Sequence, residues 1–251
     1  MLRLMQTLCA CINRNELNFI FIGFLWCFMN TTMTRLDFST LLPAYTAKKL
    51  LKQLNSIDRT IPPLPDATID TLKQQWQNLP DNNNLENFEK HATDWLISLF
   101  NTLFATQHVQ LIRGEHEPEY FPASHSKPAR IEFAHGFFAS ALHEISHWCL
   151  AGRARRLLND FGYWYAPDGR SAAQQRAFEQ VEIKPQAIEC LLTLASQRPF
   201  QVSQDNLFAD FDTSNSTFAA DVYQQAGAYI RNPDTLPRDA QSLLRALLSI
   251  C

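Results

Sequence analysis

The sequence has no C-x-x-C pair, no basic excess, no internal repeat and no uncharged apolar run long enough for a confident membrane span. Its six cysteines are Cys9, Cys11, Cys27, Cys149, Cys190 and Cys251. With none paired at C-x-x-C spacing, a zinc ribbon and a thioredoxin-like site are both excluded. The three later cysteines adjoin apolar residues, as buried reduced thiols do, and point to a cytoplasmic, reducing setting. Lys and Arg number 22 against 25 Asp and Glu, for a formal charge of −3. That balance supplies no broad footprint for nucleic acid. The local cluster Arg153, Arg155 and Arg156 reads first as a solvated face, with docking of an acidic partner as the alternative. Leu17 to Thr34 carries no charge, but its apolar centre, Phe19 to Met29, is short for a span. No small-x-small cleavage pattern follows Phe28. The expectation is that translation starts at Met29 or Met33, with no firm membrane association.

What is present is the composition of a globular protein. Hydrophobic residues make up 46% and charged residues 19% of 251 positions, enough for one well-buried domain and an extension. Three stretches are expected: an apolar N-terminal segment (1–34), a helical extension with a proline-rich linker (35–84) and a metal-dependent domain (85–251). In the extension, helical spacing over Ser39 to Ser56 puts Leu41, Leu42, Leu50, Leu51 and Leu54 on one face. The prolines from Ile61 to Pro65 read as an extended linker, so this part is expected to pack weakly or separately.

Beyond it, Leu85 to Thr106 reads as a helix striped by Phe88, Trp95, Leu96, Leu99, Phe100 and Leu103. Val109 to Ile112, Glu119 to Phe121 and Ala129 to Ala134 alternate as strands, and the last runs into a helix over Phe137 to Ala151. Asp160 to Tyr165 is aromatic and strand-like. Tyr163, Trp164 and Tyr165 are read as core before substrate wall, and Asp205-Asn206 and Asp210 as turn residues before site groups. Ser171 offers an N-cap to a helix that Pro185 is expected to kink or restart. Helices near Ala220 to Ile230 and Arg238 to Ile250 finish an α+β fold, a small mixed β-sheet packed by helices.

The chemistry lies in His143-Glu144-Ile145-Ser146-His147. Histidines four apart on a helix project from the same face, within reach of one ion. Gly136, Ala139 and Ser140 precede them on that face and leave room above it, while Leu142, Ile145 and Cys149 fall where they can be buried. A third protein ligand is needed, with at least one position left open. The candidates are Glu179 and Glu182; Glu182 is favoured because it sits beside the irregularity expected at Pro185. Glu144 points roughly 100° away from its neighbour. It is the general base if the enzyme is hydrolytic, and an orienting or proton-relaying group if it is an oxygenase. His135 is a candidate donor to the open position, with capping or packing as the plainer role.

The run Phe133 to Phe137, Ala139-Ser140-Ala141, His143 to Cys149, Ala154-Arg155-Arg156, Asp160 to Tyr165 and Pro167 to Arg170 resembles the elongation factor P hydroxylase family. Val181-Glu182, Lys184 to Ala187, Pro199-Phe200, Val202-Ser203 and Asp205 to Leu207 extend the resemblance, which covers roughly Leu85 to the C-terminus. It implies hydroxylation of a β-lysylated lysine side chain of elongation factor P. It further implies dioxygen as co-substrate and an iron(II) site of two histidines and one carboxylate, by position His143, His147 and Glu182. Zinc or another divalent ion is expected to be able to occupy the same site. The implied fold is similar to a small metal-dependent bacterial endoribonuclease rather than to double-stranded β-helix oxygenases.

Two rivals stand beside this reading. A zinc-dependent hydrolase, peptidase-like or ribonuclease-like, can share the H-E-x-x-H…E order. A non-enzymatic protein with a structural metal would instead close a four-ligand shell.

Overall fold

The computed structural model describes residues 36–57, 62–80, 85–134, 136–162, 169–206, 211 and 216–251. The apolar segment from Phe19 to Met29, His135, the aromatic run Tyr163 to Tyr165 and Asp210 lie outside the described residues.

The helices are α1 (Ala44–Ser56), α2 (Asp66–Gln77), α3 (Leu85–Leu103), α4 (Phe138–Leu150), α5 (Ala172–Ala195), α6 (Phe218–Arg231) and α7 (Arg238–Ile250). Between α3 and α4 run β1 (Val109–Arg113), β2 (Glu119–Phe121) and β3 (Ala129–Phe133). They form one sheet in the order β1-β3-β2. β3 is central, parallel to β1 (Leu111 opposite Ile131) and antiparallel to β2 (Tyr120 opposite Ile131). The fold is therefore α+β with a mixed sheet, as expected. Alternation sets the sheet's inner face: Ala129, Ile131 and Phe133 are buried while Arg130 and Glu132 between them are half-buried.

The chain leaves β3 through Gly136, whose φ of +70° belongs to the left-handed region that glycine enters without penalty. The next helix, α4, has no side-chain cap of its own. Glu89 of α3 serves instead, accepting the Phe138 backbone N–H at 2.7 Å, and Arg198 clamps the same carboxylate. A negative group at a helix N-terminus also meets the positive end of the helix dipole. Phe138, Ala141, Leu142, Ile145, Trp148 and Cys149 bury the inner side of α4. Trp148 sits edge-on to Phe100 and Phe104 at 5.3 and 5.0 Å between ring centres. This apolar side is what holds α4 in place against β3 and α5.

Three expectations need correction. The extension does not pack weakly: Leu50, Leu54 and Leu72 are buried in the same core as α4, and α1 and α2 both pack on α7. Trp95 of α3 donates its indole N–H to the Leu72 carbonyl at 2.9 Å, tying α2 down by a buried hydrogen bond. Of the two outcomes expected at Pro185, a restart does not occur: helix α5 runs without interruption from Ala172 to Ala195. Ser171 and Gln174 form a capping box at its start, and Phe178, Ala187, Ile188 and Leu191 bury both halves. Burial on both sides outweighs the one backbone bond and local clash that a proline costs. Finally, Asp160 to Gly162 is a turn and not a strand. Asp160 and Phe161 have φ values of 48° and 58°, and the Asp160 carboxylate accepts the Tyr120 backbone N–H at 3.0 Å.

Among the described residues no helix is long and apolar enough to cross a membrane.

Candidate metal centre

Helix α4 projects His143 and His147 from one face, with their Nε2 atoms 3.1 Å apart. Helix α5 brings Glu182 against them from the other side. Its Oε1 lies 3.4 Å from His147 Nε2 and its Oε2 lies 3.8 Å from His143 Nε2. One ligand atom from each residue falls within 4.8 Å of the others, so the three can share one ion. The imidazoles keep 15% and 10% of their side-chain surface open, while Glu182 has none.

Glu182 is the most informative group. Both of its oxygens are fully buried, and among the described residues neither has a hydrogen bond of normal geometry, the imidazoles of His147 and His143 being close but not bonded to it. An unpartnered buried polar atom costs about 1–3 kcal/mol, more when charged. Burial pushes its pKa up, yet the His147 imidazole, by its charge and as a nearby donor, and then the charge on His143 prevail and hold it down at about 2. The carboxylate is thus ionised, dry and aimed at two imidazole nitrogens. A divalent cation is the species that such a donor set lacks. The residues present therefore fit a metal ion.

The imidazoles answer the carboxylates. Burial alone would lower the His143 pKa, but Glu189, Glu182 and Glu144 together push it up to about 10. Of these, Glu189 is in contact: its Oε2 lies 2.9 Å from His143 Nδ1. Glu144 does not join the ligand cluster. Burial raises its pKa, opposed by the charges of His143 and His147 and assisted by those of Glu182 and Asp160. It therefore stands within the field of the cluster, with a proton-holding tendency that an ordinary surface glutamate lacks.

Glu179, the alternative third ligand, is engaged elsewhere. It accepts hydrogen bonds from Gln175 at 3.2 Å, Gln204 at 3.0 Å and Ser216 at 2.9 Å. The arginine cluster after α4 is not an acidic-partner patch as a unit, because Arg156 turns inward. It lies 3.8 Å over the Trp148 ring, donates to the Trp148 carbonyl and pairs with Asp239 at 2.5 Å. Asn206 lies in irregular chain, where its side chain accepts the Gly169 N–H and donates to the Arg170 carbonyl. Cys149 and Cys190 are free and buried, and burial raises both thiols, away from the thiolate form that reacts. The sequence reading missed Glu189. Its one signal was the seven-residue spacing from Glu182, two helical turns on nearly the same face.

The side of α4 leading up to the histidines stays accessible: Ala139 is exposed, and Gly136 and Ser140 are half-buried. Fold and cluster together define a class: an α+β protein with a helix-borne pair of histidines and a buried glutamate able to hold a metal ion. Residues 99–250 match the family model for elongation factor P hydroxylase. Over 162 residues the chain is 43% identical to the elongation factor P lysine hydroxylase of Haemophilus influenzae, covering 64% of this chain and 89% of that relative. The chain therefore belongs to the elongation factor P hydroxylase family. His143, His147, Glu182 and Glu189 all fall inside the matched region; α1 and α2 precede it.

Proposed function

We propose that this protein hydroxylates the β-lysylated lysine side chain of elongation factor P at a non-haem iron(II) centre held by His143, His147 and Glu182. The observation that carries the metal assignment is the buried Glu182 carboxylate, without a hydrogen bond among the described residues and facing two imidazole nitrogens. Family membership carries the reaction and the substrate. Three protein ligands leave coordination positions free, as catalysis needs and a structural site does not.

When bound, the metal would supply the activation of dioxygen that lets oxygen enter a carbon–hydrogen bond. The chain's own residues supply the rest. His143 and His147 hold their Nε2 atoms toward one point, because α4 is pinned by its buried face and by Glu89. Glu182 contributes a negative charge buried away from solvent, so the site favours a divalent cation over a proton pair. Glu144, with its raised pKa, is placed to hold or deliver a proton beside the cluster. His135 is proposed to add a donor at the same opening. The buried walls of α4 and α5 exclude water from all but the open side, which limits wasteful oxidation of the protein itself.

The hydroxylase domain is proposed to span residues 85–251, and a translation-factor substrate supports a cytoplasmic location. No nucleic acid is required.

The test is mass spectrometry of elongation factor P from cells with the gene, without it, and with His143→Ala in its place. The modified lysine should lose the mass of one oxygen atom in both the deletion and the variant. An unchanged mass in the deletion strain would overturn the reading. Metal analysis of the purified protein, alongside oxygen uptake, separates iron-dependent hydroxylation from zinc-dependent hydrolysis.

A further inference from the structure

We infer that Glu189 is the positioning residue of the metal centre, locking His143 into ligation through Nε2 by holding its Nδ1–H. The inference rests on the reading of His143 as a ligand and extends it to a residue outside the ligand set. Glu189 Oε2 lies 2.9 Å from His143 Nδ1, and the residue is 9% exposed, so water competes little for that bond. A neutral imidazole carries its hydrogen on one nitrogen and its lone pair on the other. A carboxylate that accepts from Nδ1 therefore leaves the Nε2 lone pair facing His147 and Glu182, where the ion belongs. The same contact fixes the ring plane, which a metal bond to a freely rotating ring would have to order at its own expense. A carboxylate partner also makes the imidazole a stronger electron-pair donor.

The geometry is economical. Glu182 and Glu189 are seven residues apart on α5, so the helix turns 700° between them and both face α4. One helix thus supplies a ligand to the ion and the partner that orients another ligand. Any shift of α5 along α4 would disturb both together.

The experiment measures metal affinity rather than turnover. Metal-stripped wild type, Glu189→Gln and Glu189→Ala are titrated with cobalt(II) against a competing chelator, with His143→Ala as reference. In parallel, imidazole proton–nitrogen NMR of the zinc-loaded proteins reports which ring nitrogen of His143 bears hydrogen. Glu189→Ala should weaken binding by roughly 10–100-fold, the usual cost of losing such a partner. Glu189→Gln keeps an acceptor of the same shape without the charge. It should lose less and retain the Nδ1–H signal. Cobalt affinity within about twofold of wild type in both variants, or a His143 ring protonated at Nε2 in the zinc-loaded wild type, would overturn the inference. If Glu189→Ala fails to fold, the glutamine variant and the wild-type spectrum still decide it. Failure of wild type to bind metal would instead overturn the metal-centre reading itself.

Discussion

Two turns of helix α5 carry buried glutamates three residues apart, and the protein treats them in opposite ways. Around Glu179 every demand is met: Gln175, Gln204 and Ser216 donate to its carboxylate. Arg170 nearby donates to Gln175 and to two backbone carbonyls while lying 3.9 Å over the Phe178 ring. Glu182 is buried more deeply still, and among the described residues its carboxylate makes no hydrogen bond of normal geometry. A saturated buried network fastens a loop to a helix; an unsaturated one keeps its lone pairs for something else. Both side chains are buried, so the difference lies in what faces them: neutral amide and hydroxyl donors at Glu179, two imidazoles at Glu182.

The sharpest way to break this contrast is Glu182→Gln. An amide of the same size removes the charge on which the cation depends, so hydroxylation should fall by more than about 100-fold, beyond the usual loss from an outer partner. Purified protein should carry less metal per chain, with the fold intact by circular dichroism. Glu179→Ala should do the reverse. It leaves three donors without their acceptor and should cost about 2 kcal/mol of stability in chemical denaturation. Metal content per folded chain should remain that of wild type. Equal metal loss in both variants would erase the distinction between the two glutamates.

A third test uses pH. In the metal-free protein His143 is raised above its ordinary value to about 10, so its contribution to stability is complete below its unfolded pKa and fades as pH rises toward about 10. Glu182 is held at about 2, so its contribution is present above the ordinary glutamate range and fades as pH falls toward about 2. For this pair, then, the metal-free protein is most stable in mildly acidic solution and loses stability on the alkaline side. Bound metal replaces the proton on His143 and should flatten that alkaline limb. Melting temperatures of stripped and loaded protein across the neutral-to-alkaline range check the sign. The smallest expected effect is that of Ser216→Ala, which removes one of three donors to Glu179. It should cost about 1 kcal/mol, with no change in metal content.

Much of the fold is legible along the chain because local physics decides it. The stripe from Trp95 to Leu103, the alternation of β3 and the Ser171 capping box each lie within a few residues of one another. Where the reading departs from the structure, a distant partner intervenes. Pro185 is tolerated because both halves of α5 are buried. Arg156 turns inward because Asp239, 83 residues on, and the Trp148 ring are there to receive it. The extension is held by the α7 helix and by Trp95, which no spacing within residues 36–79 could announce.

The candidate site divides the same way. His143 and His147 converge by helical geometry alone, since a four-residue step returns a side chain to the same face whatever surrounds it. That much the sequence determined by itself, along with the class of ion such a pair can hold. That Glu182, and not Glu179, lies beside the two imidazoles came from which one α5 turns toward α4 and which one finds donors from the loop at Gln204 and from Ser216. The pairing of Glu189 with His143 came from the packing of those two helices. Only the tertiary structure could decide these, because helical periodicity sets directions around one axis, whereas a metal site needs the distance between two.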